Sequence, residues 1–353
     1  MKTTVRRSRV LFFMVVAMAV VLAACSSSGK GGSSGAKVTL NGSGSTFQQA
    51  FDQVVIQGFQ DANSNVTVQY GGGGSGQGKT DLQKKNVQFA GSDSLPKPKD
   101  LSLYQGGKVL YFPTVAAPIT VSYKLSGVNK LQLSDSTLAK IFASKIKKWD
   151  DAAIKTDNPG VTLPSTPITV ARRADASGTT SNFTKFLAAA APTDWTLGSG
   201  DTVDWAADTQ AGQGNPGVAQ IVSQTDGAIG YVDLADATAA KLTTAAIKNA
   251  AGKFVAPTLA GAAAAVAAST LAPDLSYSPI NASGAASYPI TSPTYILVYQ
   301  KQTNHAEGTA LKSFLQYIYS QGEGKANGAG YAPLPATTVT KAVAQLGQLQ
   351  IAA

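Results

Sequence analysis

The sequence predicts an α/β protein of two lobes, the first discontinuous and the second inserted into it. Three observations lead there. A β-type run, a polar loop and a helix with regularly spaced apolar residues follow one another three times, at residues 37–59, 66–83 and 166–187. Two return segments, residues 110–115 with 119–123 and residues 288–290 with 294–299, flank a long middle stretch and read as paired crossings between lobes. Finally, 353 residues exceed what one small core encloses. The expected layout is residues 37–115 plus 290–353 for the first lobe and 116–289 for the second, with a ligand cleft between them.

The N-terminus reads as an address. Lys2, Arg6, Arg7 and Arg9 precede an apolar run over residues 10–22, and Leu22-Ala23-Ala24-Cys25 sets small residues before the chain's only cysteine. This is similar to a bacterial lipobox. Residues 1–24 would be a removed signal peptide, Cys25 the lipidated residue, and residues 25–36, rich in Ser and Gly, a flexible tether. A plain signal peptide and an N-terminal membrane helix are the alternatives. No later stretch is long and apolar enough to span a bilayer. Losing four of the 29 Lys and Arg with the signal leaves 25 against 20 acids, +5 instead of +9. Charge that mild suits an anionic ligand through long-range attraction. Without a dense basic run interleaved with aromatics it does not suggest nucleic acid. A single cysteine outside the fold excludes disulfides, and the single histidine, His305, lies in a polar stretch expected at the surface. No metal and no cofactor are expected.

In order along the mature chain, residues 37–40 begin a strand and 41–46 a loop. Phe47, Phe51, Val54, Val55 and Phe59 then line one face of a helix. Residues 66–70 give a second strand, 71–78 a glycine loop and 80–83 the next helix. Residues 87–93 read as a buried strand ending at Asp93. Residues 135–142 form a capped helix leading to Lys145-Ile146-Lys147-Lys148-Trp149-Asp150, whose lysines suit a solvated face. Residues 227–232 form a core strand whose glycines let backbones approach. Residues 259–271, 308–319 and 341–349 are helical, the first Ala-rich.

The loops carry the function. Each ends at a helix start, where N–H groups lack partners and a partial positive charge attracts an anion. The third, Arg172-Arg173-Ala174-Asp175-Ala176-Ser177-Gly178-Thr179-Thr180, adds three hydroxyls and two guanidinium groups, whose forks fit tetrahedral oxyanions. It reads as an oxyanion cradle, or as an ordinary βα loop with Ser or Asp as N-cap. The second loop fits the nucleotide phosphate-loop pattern from Gly73 to Thr80, with Lys79 as its lysine. Export away from ATP, and no apolar strand ending in a magnesium-binding Asp, argue against nucleotide hydrolysis. What survives is backbone N–H groups and the Ser75 hydroxyl facing an anion. Asp93 is the odd member, because a carboxylate repels an oxyanion unless the ligand brings a proton. Hydrogen phosphate does, whereas sulfate leaves two acceptors facing each other at a cost of several kcal/mol. The other reading of Asp93 is a cap on the following turn.

Taken together and in order, Gly42-Ser43-Gly44-Ser45-Thr46-Phe47, Gly74-Ser75-Gly76, Phe89-Ala90-Gly91-Ser92-Asp93, Ile141-Phe142 to Trp149-Asp150, the Arg172 stretch and Gly227-Ala228-Ile229-Gly230-Tyr231 resemble the phosphate-binding proteins of bacterial phosphate ABC importers. The stretch from Arg173 to Thr179 is the most specific part. The resemblance implies a type II periplasmic-binding-protein fold, two α/β lobes on a two-strand hinge that close over inorganic phosphate. It implies delivery to membrane permease subunits, lipid anchoring on the outer face of the cell membrane, and no enzyme activity. By motif position, Thr46 would offer hydroxyl and backbone donors, Phe47 a backbone N–H and Ser75 a hydroxyl. Asp93 would accept the ligand's proton and Arg173 supply the charged fork, with Ser177, Gly178 and Thr179 donating from the helix start. Asp175 would hold that fork from behind, with Ser45 in the same supporting layer. Two features depart from the family pattern: Gln48 stands where proline is frequent, and the second loop is unusually Gly-rich. The rival readings are a binder of another tetrahedral oxyanion or a phosphonate, an exported phosphate-ester hydrolase, and an adhesion or signalling lipoprotein.

Overall fold

The computed structural model describes residues 37–353; the expected signal peptide, Cys25 and the tether lie outside the described residues. β1 (Val38–Gly44), α1 (Gln49–Ala62), β2 (Val66–Gly72), α2 (Ser75–Gln83) and β3 (Phe89–Ser92) realise the first two strand–loop–helix units. On α1 the buried residues are Phe51, Asp52, Val55, Ile56 and Phe59. At about 100° per residue they fall in one arc roughly 140° wide. Val54 lies outside that arc and is 41% exposed, which corrects its expected place on the apolar face. Asp52 and Ile56 occupy the face instead.

A single 15-residue strand, β4 (Val109–Tyr123), stands where two shorter ones were expected. After it come α3 (Asp135–Phe142), β5 (Thr169–Arg173), α4 (Gly178–Ala190), β6 (Gln210–Gly212), α5 (Gly214–Gln224), β7 (Ala228–Asp233), α6 (Leu234–Ala239) and α7 (Leu259–Ala267). The chain then returns through β8 (Thr291–Tyr299), α8 (His305–Tyr317) and α9 (Ala336–Gln345). The main sheet runs β2-β1-β3-β8-β4-β7-β5-β6, with two short strands added on β4. β4 pairs antiparallel with β8 as far as Pro118, and from Ile119 to Tyr123 with β7. One strand is therefore shared by both halves of the sheet, and β8 pairs beside it.

Each half has an aromatic core. In the second, Phe183 stacks on Tyr231 at 4.4 Å and meets Phe142 edge-on at 4.7 Å, while fully buried Trp149 donates Nε1–H to Gly227 O at 2.9 Å. In the first, Phe47 and Phe51 pack on Tyr331, and Phe59 on Phe314. Such pairs add roughly 0.5–1.5 kcal/mol each beyond area burial. Lys145, Lys147 and Lys148 are exposed, as the sequence suggests, and so is His305. Side-chain caps fix the helix starts: Ser134 accepts from Thr137 N, Ser177 from Thr180 N and Asn304 from Glu307 N.

The end of β1 has little room. Gly44 has φ +136°, and its carbonyl accepts from Gly73 N and Gly74 N at 2.9 and 2.8 Å. A Cβ there would lie 2.1 Å from Gly91 O. Gly44→Ala is expected to cost about 2 kcal/mol or more through backbone strain and this overlap; urea unfolding with a midpoint equal to the parent protein would contradict the account.

Candidate anion-binding site

Parallel strands place their loops at one edge of a sheet, and in open α/β sheets the crevice beyond the carboxyl ends of the strands is where ligands sit. β1 is parallel to β2 and β3, and β5 is parallel to β6 and β7. Their C-terminal ends carry Ser45-Thr46-Phe47, Gly74-Ser75, Asp93 and the Arg173–Thr179 loop. Asn182 Nδ2, from α4, donates to Asp93 O at 2.7 Å, and Gly76 N donates to Ala176 O at 2.9 Å. The two halves are thus closed on each other. A Cβ on Gly178 would lie 2.5 Å from Ser75 Oγ and 2.8 Å from Asp93 Cβ, so this helix start seats against both.

Arg173 is 3% exposed. It forks onto Asp175: Nε donates to Oδ1 at 2.9 Å and Nη2 to Oδ2. Nη1 donates to Thr179 Oγ1 at 3.3 Å. Three of its five N–H bonds are thereby used, leaving two for the cleft. Burial alone would raise the Asp175 carboxyl; the Arg173 hydrogen bonds and charge, with Gly214 N at 3.0 Å, overrule it and hold the group below its ordinary value.

Asp93 is 2% exposed. Oδ1 accepts from Ser45 Oγ at 2.6 Å and Thr294 Oγ1 at 2.9 Å, and Oδ2 from Ser75 Oγ at 3.3 Å. Burial pushes the carboxyl up to about 6, against those hydroxyls and the Arg173 charge. It is ionised at neutral pH and keeps acceptor capacity on Oδ2. Of the two readings of Asp93, the buried acceptor is the one this environment fits.

The remaining hydroxyls are set as donors. Thr46 Oγ1 accepts from Asn215 N and Nδ2 at 3.1 and 3.3 Å. Thr179 Oγ1 accepts from Arg173 Nη1 and Asn215 Nδ2, both at 3.3 Å. Ser177 Oγ accepts from Thr180 N at 3.1 Å. A hydroxyl whose lone pairs receive N–H bonds has its single proton left to give. Phe47 N donates to Ser45 Oγ at 3.0 Å, and Tyr331 Oη holds Phe47 O at 2.5 Å.

One expectation is corrected: Arg172 does not face this cleft, since its Nε goes to Thr209 Oγ1 at 3.3 Å and Nη1 to Arg173 O at 3.1 Å. Only one guanidinium serves the cradle, because successive strand residues point to opposite faces. Lys79 of the nucleotide-loop look-alike lies four residues into α2 and bridges to Asp201 Oδ2 at 2.5 Å and Ser94 Oγ at 2.9 Å. Asn215, Thr294, Gln48 and Asn182 were not anticipated. Asn215 follows a fourth strand–loop–helix junction, hidden because β6 has only three residues.

A cleft between two halves sharing one strand defines the class: the chain belongs to the PBP superfamily, whose domain matches residues 31–321. Within it, the chain is a member of the phosphate-binding protein family. It is 34% identical to the phosphate-binding protein PstS of Xylella fastidiosa (strain 9a5c) over 86% of this chain and 83% of that protein. It is 33% identical to the phosphate-binding protein PstS 2 of Mycobacterium tuberculosis (strain ATCC 25618 / H37Rv) over 97% and 99%. Among solved structures it is similar to a high-affinity periplasmic phosphate-binding protein, PfluDING, bound with phosphate: TM-score 0.73, 25% identity, 87% of this chain and 93% of that one. The fold is the type II periplasmic-binding-protein fold.

Asp52 on α1, 2% exposed, has its carboxyl pushed up from 3.8 to about 8 by burial, against a hydrogen bond from Gln48 and with the Asp93 charge adding to the rise. A folded-state value above the unfolded one means the folded chain holds more protons between the two values. The contribution is full below about pH 4 and is lost as pH rises through about 8. Asp52→Asn is therefore expected to flatten the decline in unliganded stability from about pH 5 to 8; urea midpoints that decline as steeply as in the parent would argue otherwise.

Proposed function

We propose that the protein binds inorganic phosphate outside the cytoplasm and hands it to the permease of an ABC importer. The carrying observation is one buried acceptor, Asp93, set among directed donors. Thr46, Phe47, Arg173, Ser177, Gly178 and Thr179 donate to phosphate oxygens; Ser75 joins them by turning its one hydroxyl proton from Asp93 Oδ2 to the ligand, which frees that oxygen to take the ligand's proton. Asp175 orients Arg173, and Ser45 orients Asp93. The Phe47 N–H, now on Ser45 Oγ, is shared with a ligand oxygen. At about 1.5–3 kcal/mol per charge-assisted bond, a handful of such contacts exceeds the roughly 8 kcal/mol of a micromolar site and leaves room for desolvation and closure. Membership of a family whose relatives are called phosphate-binding proteins supports this reading over a hydrolase. The two lobes are residues 37–115 with 290–353, and 116–289; β4 and the return into β8 act as the hinge.

The basic n-region, the apolar run and Cys25 support a lipid anchor on the outer face of the membrane, with residues 25–36 as tether. No helix of the described residues is long and apolar enough to cross a membrane. Cys25→Ser is expected to move the protein from the membrane fraction to the soluble extracytoplasmic fraction, and retention in the membrane would count against acylation.

Calorimetric titration tests the site. Arg173→Ala is expected to weaken phosphate binding by about 1,000-fold or more, since a buried charge pair loses one partner; undiminished affinity would refute it. At pH 8, sulfate is expected to bind at least about 100-fold more weakly than phosphate, because ionised Asp93 then faces a ligand without a proton. Equal affinities would remove the role given to Asp93.

A further inference from the structure

Behind Asp93 lies a chain of buried polar groups that the phosphate contacts do not use. Thr294 Oγ1 stands 2.9 Å from Asp93 Oδ1 and also within hydrogen-bond reach of Gln48 Oε1. Gln48 Nε2 donates to Asp52 Oδ2 at 2.8 Å, a bond the carbonyl oxygen of a protonated Asp52 accepts as well, and the amide oxygen faces Thr294. Gln48 and Thr294 are fully buried and Asp52 is 2% exposed, so these bonds are shielded from bulk water. A threonine hydroxyl has one proton. Two acceptors therefore face a single donor.

We propose that Gln48 and Thr294 are positioning residues that set how firmly Asp93 accepts the ligand's proton, by dividing one hydroxyl proton between the Gln48 amide oxygen and the Asp93 carboxylate. The inference rests on the phosphate reading of the site. When Asp93 is ionised, Thr294 gives its proton to Oδ1 and stabilises the anion. When Asp93 is protonated on Oδ1, it donates to Thr294 Oγ1, and Thr294 turns its own proton to Gln48. Both forms are satisfied only because Gln48 offers the second acceptor, and an unsatisfied buried group would otherwise cost about 1–3 kcal/mol.

The other groups facing Asp93 are accounted for. Ser45 and Ser75 donate to it, Arg173 faces it from the second lobe, and Asp52 lies behind Gln48 on α1. The phenols of Tyr70 on β2 and of Tyr331 are neutral, held well above their ordinary range by burial. None of them depends on the Thr294 proton. Thr294→Val deletes the donor, so Asp93 keeps its proton to higher pH. Gln48→Met deletes the rival acceptor, so the Thr294 proton goes to Asp93 alone and ionisation persists to lower pH.

The test is phosphate affinity from pH 4.5 to 8.5 on the full mature chain, by calorimetry. The acid limb is expected to move up by about half a pH unit or more in Thr294→Val and down by a comparable amount in Gln48→Met. It stays in place in Thr294→Ser. Phosphate's own ionisation is common to all variants and cancels in the comparison. Limbs that move in the same direction, or not at all, overturn the proposal, since loosened packing cannot give opposite signs. Should Thr294→Val lose all binding, the Gln48→Met limb decides: down supports, unmoved or up overturns. The Gln48→Met shift must also persist in an Asp52→Asn background; its disappearance there would assign the effect to the titration of Asp52 and overturn the proposal. A parent protein that takes no phosphate at any pH would instead remove the phosphate reading on which this one stands.

Discussion

Two opposite charges, Asp93 at 2% and Arg173 at 3% exposure, are held out of water on facing halves of the protein. Removing ions from water costs several kcal/mol each unless partners replace the solvent. Arg173 is answered by Asp175 in a bidentate pair, and Asp93 by the hydroxyls of Ser45, Thr294 and Ser75. What these partners leave over has direction: two guanidinium N–H bonds, the protons of Thr46, Ser177 and Thr179, and an acceptor site on Asp93. A tetrahedral anion with one proton is the species that matches this remainder, oxygen for donor and hydroxyl for acceptor. Neutralising the site with more cations would bind any oxyanion, so a carboxylate placed to meet the ligand would give up affinity for selection.

Closure follows from the same economy. The halves meet through Asn182 on Asp93 O, Asn215 on Thr46, Gly76 N on Ala176 O, and the Lys79–Asp201 pair. That pair is partly solvated, with side chains 13% and 22% exposed, and ion pairs of this kind contribute little net stability. Hydrogen bonds that water can replace make a reversible contact, which suits a protein that must release its ligand. The continuous strand β4 carries the connection, handing its pairing from β8 to β7 at Pro118 and Ile119, so opening needs no break in the backbone of either core.

The parts of this arrangement visible in the sequence were those governed by local rules. Strand alternation, glycine loops and helix starts placed Thr46, Ser75, Asp93 and Ser177 at the ends of their strands before any tertiary information. Arg173 was separable from Arg172 only through resemblance, since both are alike as residues and the strand pleat decides which faces the cleft. Asn215 and Thr294 were invisible for a different reason. Each reaches the site through long-range packing, 169 residues from Thr46 and 201 residues from Asp93 respectively. Val54 failed because it sits beside the apolar arc of α1, where counting hydrophobic residues cannot replace their angular positions.

The nucleotide-loop look-alike shows how little a pattern means out of register with its helix. A phosphate loop needs its lysine at the mouth of the loop, beside the first free N–H groups. Here α2 begins at Ser75, so Lys79 falls a full turn further on and leans across to Asp201. The residue before this helix start is constrained in its own way. Gly74 has φ +92°, and a Cβ on it would lie 2.1 Å from Asp175 Oδ2. Gly74 and Gly76 are the two that the Arg173–Thr179 loop requires, because a Cβ on Gly76 would likewise lie 2.4 Å from Ala176 Cβ, and bulkier residues at either place would hold the start of α2 away from that loop. Gly74 at the start of α2 and Gly76 within its first turn thus answer one requirement, the close approach of this helix start to the loop that carries Asp175 and Ala176.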